Sequence, residues 1–145
     1  MVKAFGIELK TDRFDQTSDL PEHINAGNKF YGLDLAEYIR AKLKLSDFHV
    51  IDEDWGWLVY GRDGELEINY GISDWHDVDS QFGGNLDSAV KTEANWYIVI
   101  TAYKPKRMLG FIPFNQPVDC PVQYANALIA LFKSDGVDVM RSGLE

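Results

Sequence analysis

Apolar residues near the start of the chain fall on alternate positions, Phe5, Ile7 and Leu9 against Ala4, Gly6 and Glu8, which is the period of a half-buried strand. The stretch from Lys10 to Asn28 is rich in Asp, Ser, Thr and Asn, contains Pro21, and reads as a loop. The period then changes. Tyr31, Leu35, Ile39 and Leu43 recur four apart with Ala36 and Tyr38 beside them, while Asp34, Glu37, Arg40 and Lys44 take the other side. That pattern predicts an amphipathic helix from about Lys29 to Leu45, with acids early and bases late as the helix dipole favours. Extended segments follow at Phe48 to Ile51, Trp55 to Gly61 and Glu65 to Ile72, the last two joined through the turn pair Asp63-Gly64. Leu66, Ile68, Tyr70 and Ile72 alternate with polar neighbours, as in an antiparallel sheet with one wet face.

From Ser73 to Ala94 the chain is mostly polar around Gly83-Gly84, a second long loop. Asn95 to Tyr103 is apolar on both faces and predicts a central strand. The basic Lys104-Pro105-Lys106-Arg107 reads as a turn leading to a short extended piece, Met108 to Phe111. Asp119 fits the N-cap of a second helix with Pro121 in its first turn and an apolar stripe of Val122, Ala125, Leu128, Ile129 and Phe132. Gly136 closes it, and Val137 to Met140 forms a last strand. The order β-α-β-β-β-β-α-β predicts one α+β domain over residues 1–145, a mainly antiparallel sheet of five or six strands with two helices packed on one face.

Composition supports a packed core, at 46% hydrophobic and 13% aromatic residues. The lone cysteine excludes an internal disulfide framework and a cysteine zinc cluster. The sequence has no apolar run of membrane-spanning or signal-peptide type, so a soluble, cytoplasmic protein is expected. Charge narrows the partners. With 14 Lys and Arg against 23 Asp and Glu, the formal net charge is −9, which repels phosphate backbones and anionic lipid. Neither direct nucleic-acid binding nor membrane binding is therefore expected. The favoured partner is a basic protein, such as a toxin or a nucleic-acid-handling protein.

Phosphate-loop, dinucleotide, nucleophile-elbow and H-E-x-x-H signatures are all missing, and no catalytic residue is assigned. Cys120 at a helix start could be a stabilised thiolate served by His23, His49 or His76, but no local signature supports this, and a small buried side chain is the simpler role. Asp74, His76, Asp77 and Asp79 in SDWHDVDS are residue types that hold divalent ions; their spacing is not that of an EF-hand, and a solvated acidic loop without metal is expected. Strand alternation separates Asp52, Glu53 and Asp54, which makes them poor paired carboxylates for hydrolysis. No cofactor is implied.

The aromatic residues point elsewhere. Trp55, Trp57 and Trp75 fall within 21 residues, and Trp55 and Trp57 share one face of a strand. Either both are core and Tyr60 lies on the open face, or both are available to a partner. In the second case Asp52, Glu53, Asp54, Trp55 and Trp57, with Asp74, Trp75, Asp77 and Asp79, compose an acidic, aromatic partner-binding surface.

The segment NKFYGLDLAEYIRAKL followed by EDWGWLV, within residues 28–60, resembles small bacterial α+β families in which an amphipathic helix precedes an acidic-Trp-Gly-Trp strand. Several of these resemble immunity proteins of toxin–antitoxin or contact-inhibition systems. The resemblance implies a binding protein that inhibits a toxin; it supplies no functional residues. Alternatives are a phage-encoded inhibitor of a nucleic-acid defence of the anti-CRISPR kind, a small metal- or ligand-dependent enzyme using His76 and its neighbouring aspartates, and a homodimer formed through a sheet edge.

Overall fold

The computed structural model describes residues 2–14, 32–53, 56–74 and 96–141, with the side chains of Asp52, Glu53 and Asp74 outside that description. Among the described residues, seven strands and two helices occur in the order β1 (Phe5–Lys10), α1 (Leu33–Lys42), β2 (Ser46–Glu53), β3 (Gly56–Asp63), β4 (Leu66–Asp74), β5 (Trp96–Met108), β6 (Ile112–Val118), α2 (Val122–Ser134) and β7 (Asp138–Arg141). All pairings are antiparallel. The strands run β2-β3-β4-β5-β1-β7 across the sheet, with β6 paired to β5 off that path. The α+β class follows the alternation in the sequence; the strand count exceeds the expected five or six by β6.

One face of the sheet carries Phe5, Ile7, Leu9, Val59, Ile68, Tyr70, Ile72, Trp96, Ile98 and Ile100, each at 1% exposure or less. Both helices close over it. Helix α1 lies against β2 and β3 through Leu35, Ala36 and Ile39, and α2 lies against β1 and β7. The helices meet where Tyr38 stacks on Phe132, ring centroids 5.5 Å apart. The buried stripe of α2 is Tyr124, Ala125, Leu128 and Phe132, whereas Val122 is exposed. Val122 was misassigned because at 3.6 residues per turn it lies about 100° round the helix from the centre of that stripe. The other sheet face is mixed: Ile51, Leu58, Gly71, Val99 and Gly6 form one register row, and His49, Tyr60, Asn69 and Thr101 the next.

Two local expectations are corrected. Asp119 does not cap α2, whose N-cap is Pro121 without a side-chain hydrogen bond. Its Oδ1 instead accepts from the Lys3 N–H at 2.7 Å, and the Cys120 N–H donates to the Lys3 carbonyl at 2.9 Å. The lead into β1 is thus tied to the lead into α2. At the other end the Gly136 N–H donates to the Lys133 carbonyl, as a C-terminal glycine should.

The second correction concerns the basic tetrapeptide. Lys104 to Arg107 is strand, the distal part of a 13-residue β5. Pro105 argues against a central strand because it has no N–H for the ladder. The structure accommodates it because β4 leaves β5 after Glu67 pairs with Tyr103. From Lys104 onward β5 pairs, among the described residues, with β6 alone, in the register Lys104 with Gln116, Lys106 with Phe114 and Met108 with Ile112. The turn lies later, at Leu109 (φ 53°) and Gly110 (φ 80°), where the Phe111 N–H donates to the Met108 carbonyl at 3.2 Å. Residues 108–111, expected as an extended piece, are the tip of a projecting two-stranded arm.

Candidate functional site

Of the residues expected to form a partner-binding surface, Asp52, Glu53, Trp57 and Asp74 fall at the end of the sheet opposite this arm. Glu53, at the close of β2, pairs with Gly56 at the start of β3; Trp57 pairs with Ile72; and Asp74, at the close of β4, pairs with Trp96 at the start of β5. Asp52-Glu53 and Asp74, about 20 residues apart in sequence, thus occupy one end of the sheet on strands β2 and β4. With strands about 4.8 Å apart, β2 and β4 lie roughly 10 Å from one another. The same register sets the arm tip at the far end, about 40 Å away along β5 at about 3.4 Å per residue.

Trp57 is not part of an accessible surface. It is 3% exposed and belongs to the core, so the aromatic row of β3 faces the helices and Tyr60 lies on the open face, stacked on His49 at 5.1 Å. The phase is set by Val59, which shares the face of Trp57 and is fully buried. Both Trp57 and Trp96 bury an indole N–H that has no hydrogen-bond partner among the described residues. Asp54, Trp55, Trp75, His76, Asp77 and Asp79 lie outside the described residues.

The chemical candidates resolve differently. Cys120 is buried, and burial pushes its thiol up to about 11, the opposite of an activated nucleophile. Among the described residues no group of three or more His, Cys, Asp or Glu could hold a metal ion, and no helix is long and apolar enough to cross a membrane. Tyr124 donates to Asp63 at 2.6 Å, joining α2 to the β3–β4 turn, and Tyr38 donates to Asp135. Burial first, and then these carboxylates, push both phenols up to about 12. Since the folded values exceed the ordinary 10.0, their contribution is complete below pH 10 and is lost as pH rises through 12. Native protein is therefore expected to resist alkylation at Cys120 near pH 8 and to lose stability between pH 10 and 12. Phenolate absorbance in that window should rise together with loss of helical circular dichroism; ionisation of all tyrosines near pH 10 in a folded chain would contradict the assignment.

What the sequence reading missed is the arm. No Asp or Glu occurs from Ala94 to Val118, a stretch containing Lys104, Lys106 and Arg107, so the remainder of the chain carries −12 against this +3. The tip exposes Met108 (52%), Leu109 (79%), Phe111 (68%), Ile112 (42%) and Phe114 (41%). The signal was present in the acid-free run; reading Lys104 to Arg107 as a turn concealed that it is a projecting strand.

No protein-family model matches the chain, and no curated protein or solved structure is similar to it. Function therefore has to be argued from the geometry alone.

Proposed function

We propose that this chain is a small acidic binding protein that inhibits a basic partner protein, in the manner of a toxin immunity protein. The observation that carries the reading is the register that brings Asp52-Glu53 and Asp74 to one end of the sheet. Carboxylates from separate segments then add their fields at one pole instead of being spread over the surface. Like charges gathered on nearby strands repel one another and deepen the local negative potential. A basic partner removes that repulsion and is steered toward the pole as it approaches. The −12 carried outside the arm segment strengthens the same field.

The test compares the wild type with a combined Asp52→Asn, Glu53→Gln and Asp74→Asn variant, each immobilised and challenged with source-cell extract at low and high salt. The wild type should retain a basic protein at low salt, release it near 1 M where screening shortens to about 3 Å, and suppress that protein's activity. The variant, with unchanged circular dichroism, should bind it at least about tenfold more weakly, a difference of roughly 1.4 kcal/mol. Equal retention by both proteins, or no inhibition of what is retained, would sink the proposal.

A further inference from the structure

The distal arm presents a separate problem. Five large apolar side chains are exposed at one place, on a chain with an otherwise ample core. Their arrangement is unlike a one-sided docking face. Met108, Ile112 and Phe114 lie on one side of the ribbon, Pro105 and Pro113 on the other, and Leu109 and Phe111 at the turn. From Met108 to Phe114 there is no polar side chain at all. A tip that is apolar all round suits a medium that is apolar all round.

Immediately behind the tip the chemistry changes. A groove of about 690 Å³ is lined by Arg62, Lys106 and Arg107 together with Pro105, Phe114 and Asn115. Lys104 meets Glu65 at 4.0 Å, but Lys106 and Arg107 form no ion pair among the described residues. Cations therefore stand at the level where an inserted tip would meet anionic head groups. The turn adds a third observation. Leu109 holds a left-handed φ of 53° in a position that asparagine or glycine fills at lower cost, and nothing on the arm packs over its 79% exposed side chain. Stability is given up to keep an apolar group at the apex.

We infer that the arm inserts its tip into an anionic phospholipid surface, with Arg62, Lys106 and Arg107 receiving head-group phosphate or carboxylate. This goes beyond the acidic-pole reading and does not depend on it. The net charge of −9 argued against membranes only because it averaged the molecule. Beyond Tyr103 the arm extends five residues, roughly 17 Å, about twice the 8 Å screening length of physiological salt. With Lys106 and Arg107 at head-group level, three to four residues or roughly 10–14 Å beyond Tyr103, the edge of the body stands just past one screening length, and its nearest acid, Glu65, is met by Lys104 at 4.0 Å. Duplex DNA fits less well: proteins that wedge apolar side chains between base steps wrap the bent duplex on further protein surface, and here the rest of the chain behind the arm carries −12 and repels phosphate.

The experiment is co-sedimentation of the full chain with phosphatidylcholine vesicles, with and without phosphatidylserine, at millimolar lipid. Binding is expected to the phosphatidylserine vesicles and to fall as salt is raised. Lys106→Gln with Arg107→Gln should weaken it roughly 25-fold, about fivefold for each cation near the surface. Leu109→Asn should weaken it about tenfold or more by removing a buried aliphatic group. That same variant suits the left-handed turn, so its circular dichroism and melting temperature should not fall, separating lost insertion from lost fold. The inference is overturned if no binding occurs, if vesicles with and without phosphatidylserine bind alike, or if Leu109→Asn binds as well as wild type. Binding of a DNA duplex, or of a second copy of the chain, without vesicle binding would also overturn it. None of these outcomes bears on the Asp52, Glu53 and Asp74 variant, whose effect is read on a protein partner.

Discussion

Gly56→Ala is expected to open the acidic end of the sheet and to cost about 3 kcal/mol or more. A Cβ at this position would sit 2.2 Å from the carbonyl oxygen of Ile72, and the residue has φ 155°. The clash is with backbone, so no side-chain rotation relieves it. Relief requires β3 to move away from β4 at the point where Trp57 pairs with Ile72. Trp57 would then lose the packing that holds it at 3% exposure, and Glu53 would lose its strand partner. Denaturant unfolding should show a lower midpoint, and hydrogen exchange should quicken first in residues 56–58 and 71–73. A variant as stable as wild type would mean that the two strands do not approach this closely.

The second large effect is expected at Trp96. It is fully buried at the start of β5, edge-on to Phe14 at 6.5 Å, and a Cβ at Gly32 would come within 2.8 Å of its ring. Trp96→Ala removes the largest fully buried side chain of the core and should cost about 3–5 kcal/mol. At about 2–4 °C per kcal/mol for a chain of this size, the melting temperature should drop by roughly 10 °C. Trp96→Phe provides the informative contrast. The indole N–H is buried with no partner among the described residues, a state that costs about 1–3 kcal/mol, so its removal offsets part of the lost volume. Phenylalanine should therefore be much milder than alanine. If the two variants unfolded at the same denaturant concentration, the N–H would have to possess a partner.

The same residues explain how much was legible beforehand. Alternation in β1 and β4 and the four-residue repeat of α1 were readable because each element buries one face against one core, which leaves its period in the sequence. The hairpin after β3 was readable because turn chemistry is local, although its two loop residues are Gly64 and Glu65, one position later than the expected Asp63-Gly64, with Asp63 paired to Leu66. Lys104 to Arg107 failed for the converse reason: its conformation depends on where β4 ends, a fact about another strand. Asp119 failed similarly, because its carboxylate is taken by Lys3, more than a hundred residues away in sequence. For the site, alternation did constrain Trp57, leaving a choice between two faces. Only the neighbouring burial of Val59 and Ile72 decides that it belongs to the core. The convergence of Asp52-Glu53 with Asp74 required the strand order, which periodicity does not encode.

The long β5 strand also has a mechanical consequence. Its inner half is laddered on both edges, to β4 from Trp96 to Tyr103 and to β1 from Trp96 to Ile100, while its outer half forms the arm. Antiparallel ladder bonds lie perpendicular to the strands. A load applied at the tip and directed along the arm therefore reaches the body in shear, with both ladders stretched together and no bond at an end where unzipping could begin. An arm built this way can hold the body against tension even though its own two strands are laddered only to each other near the tip.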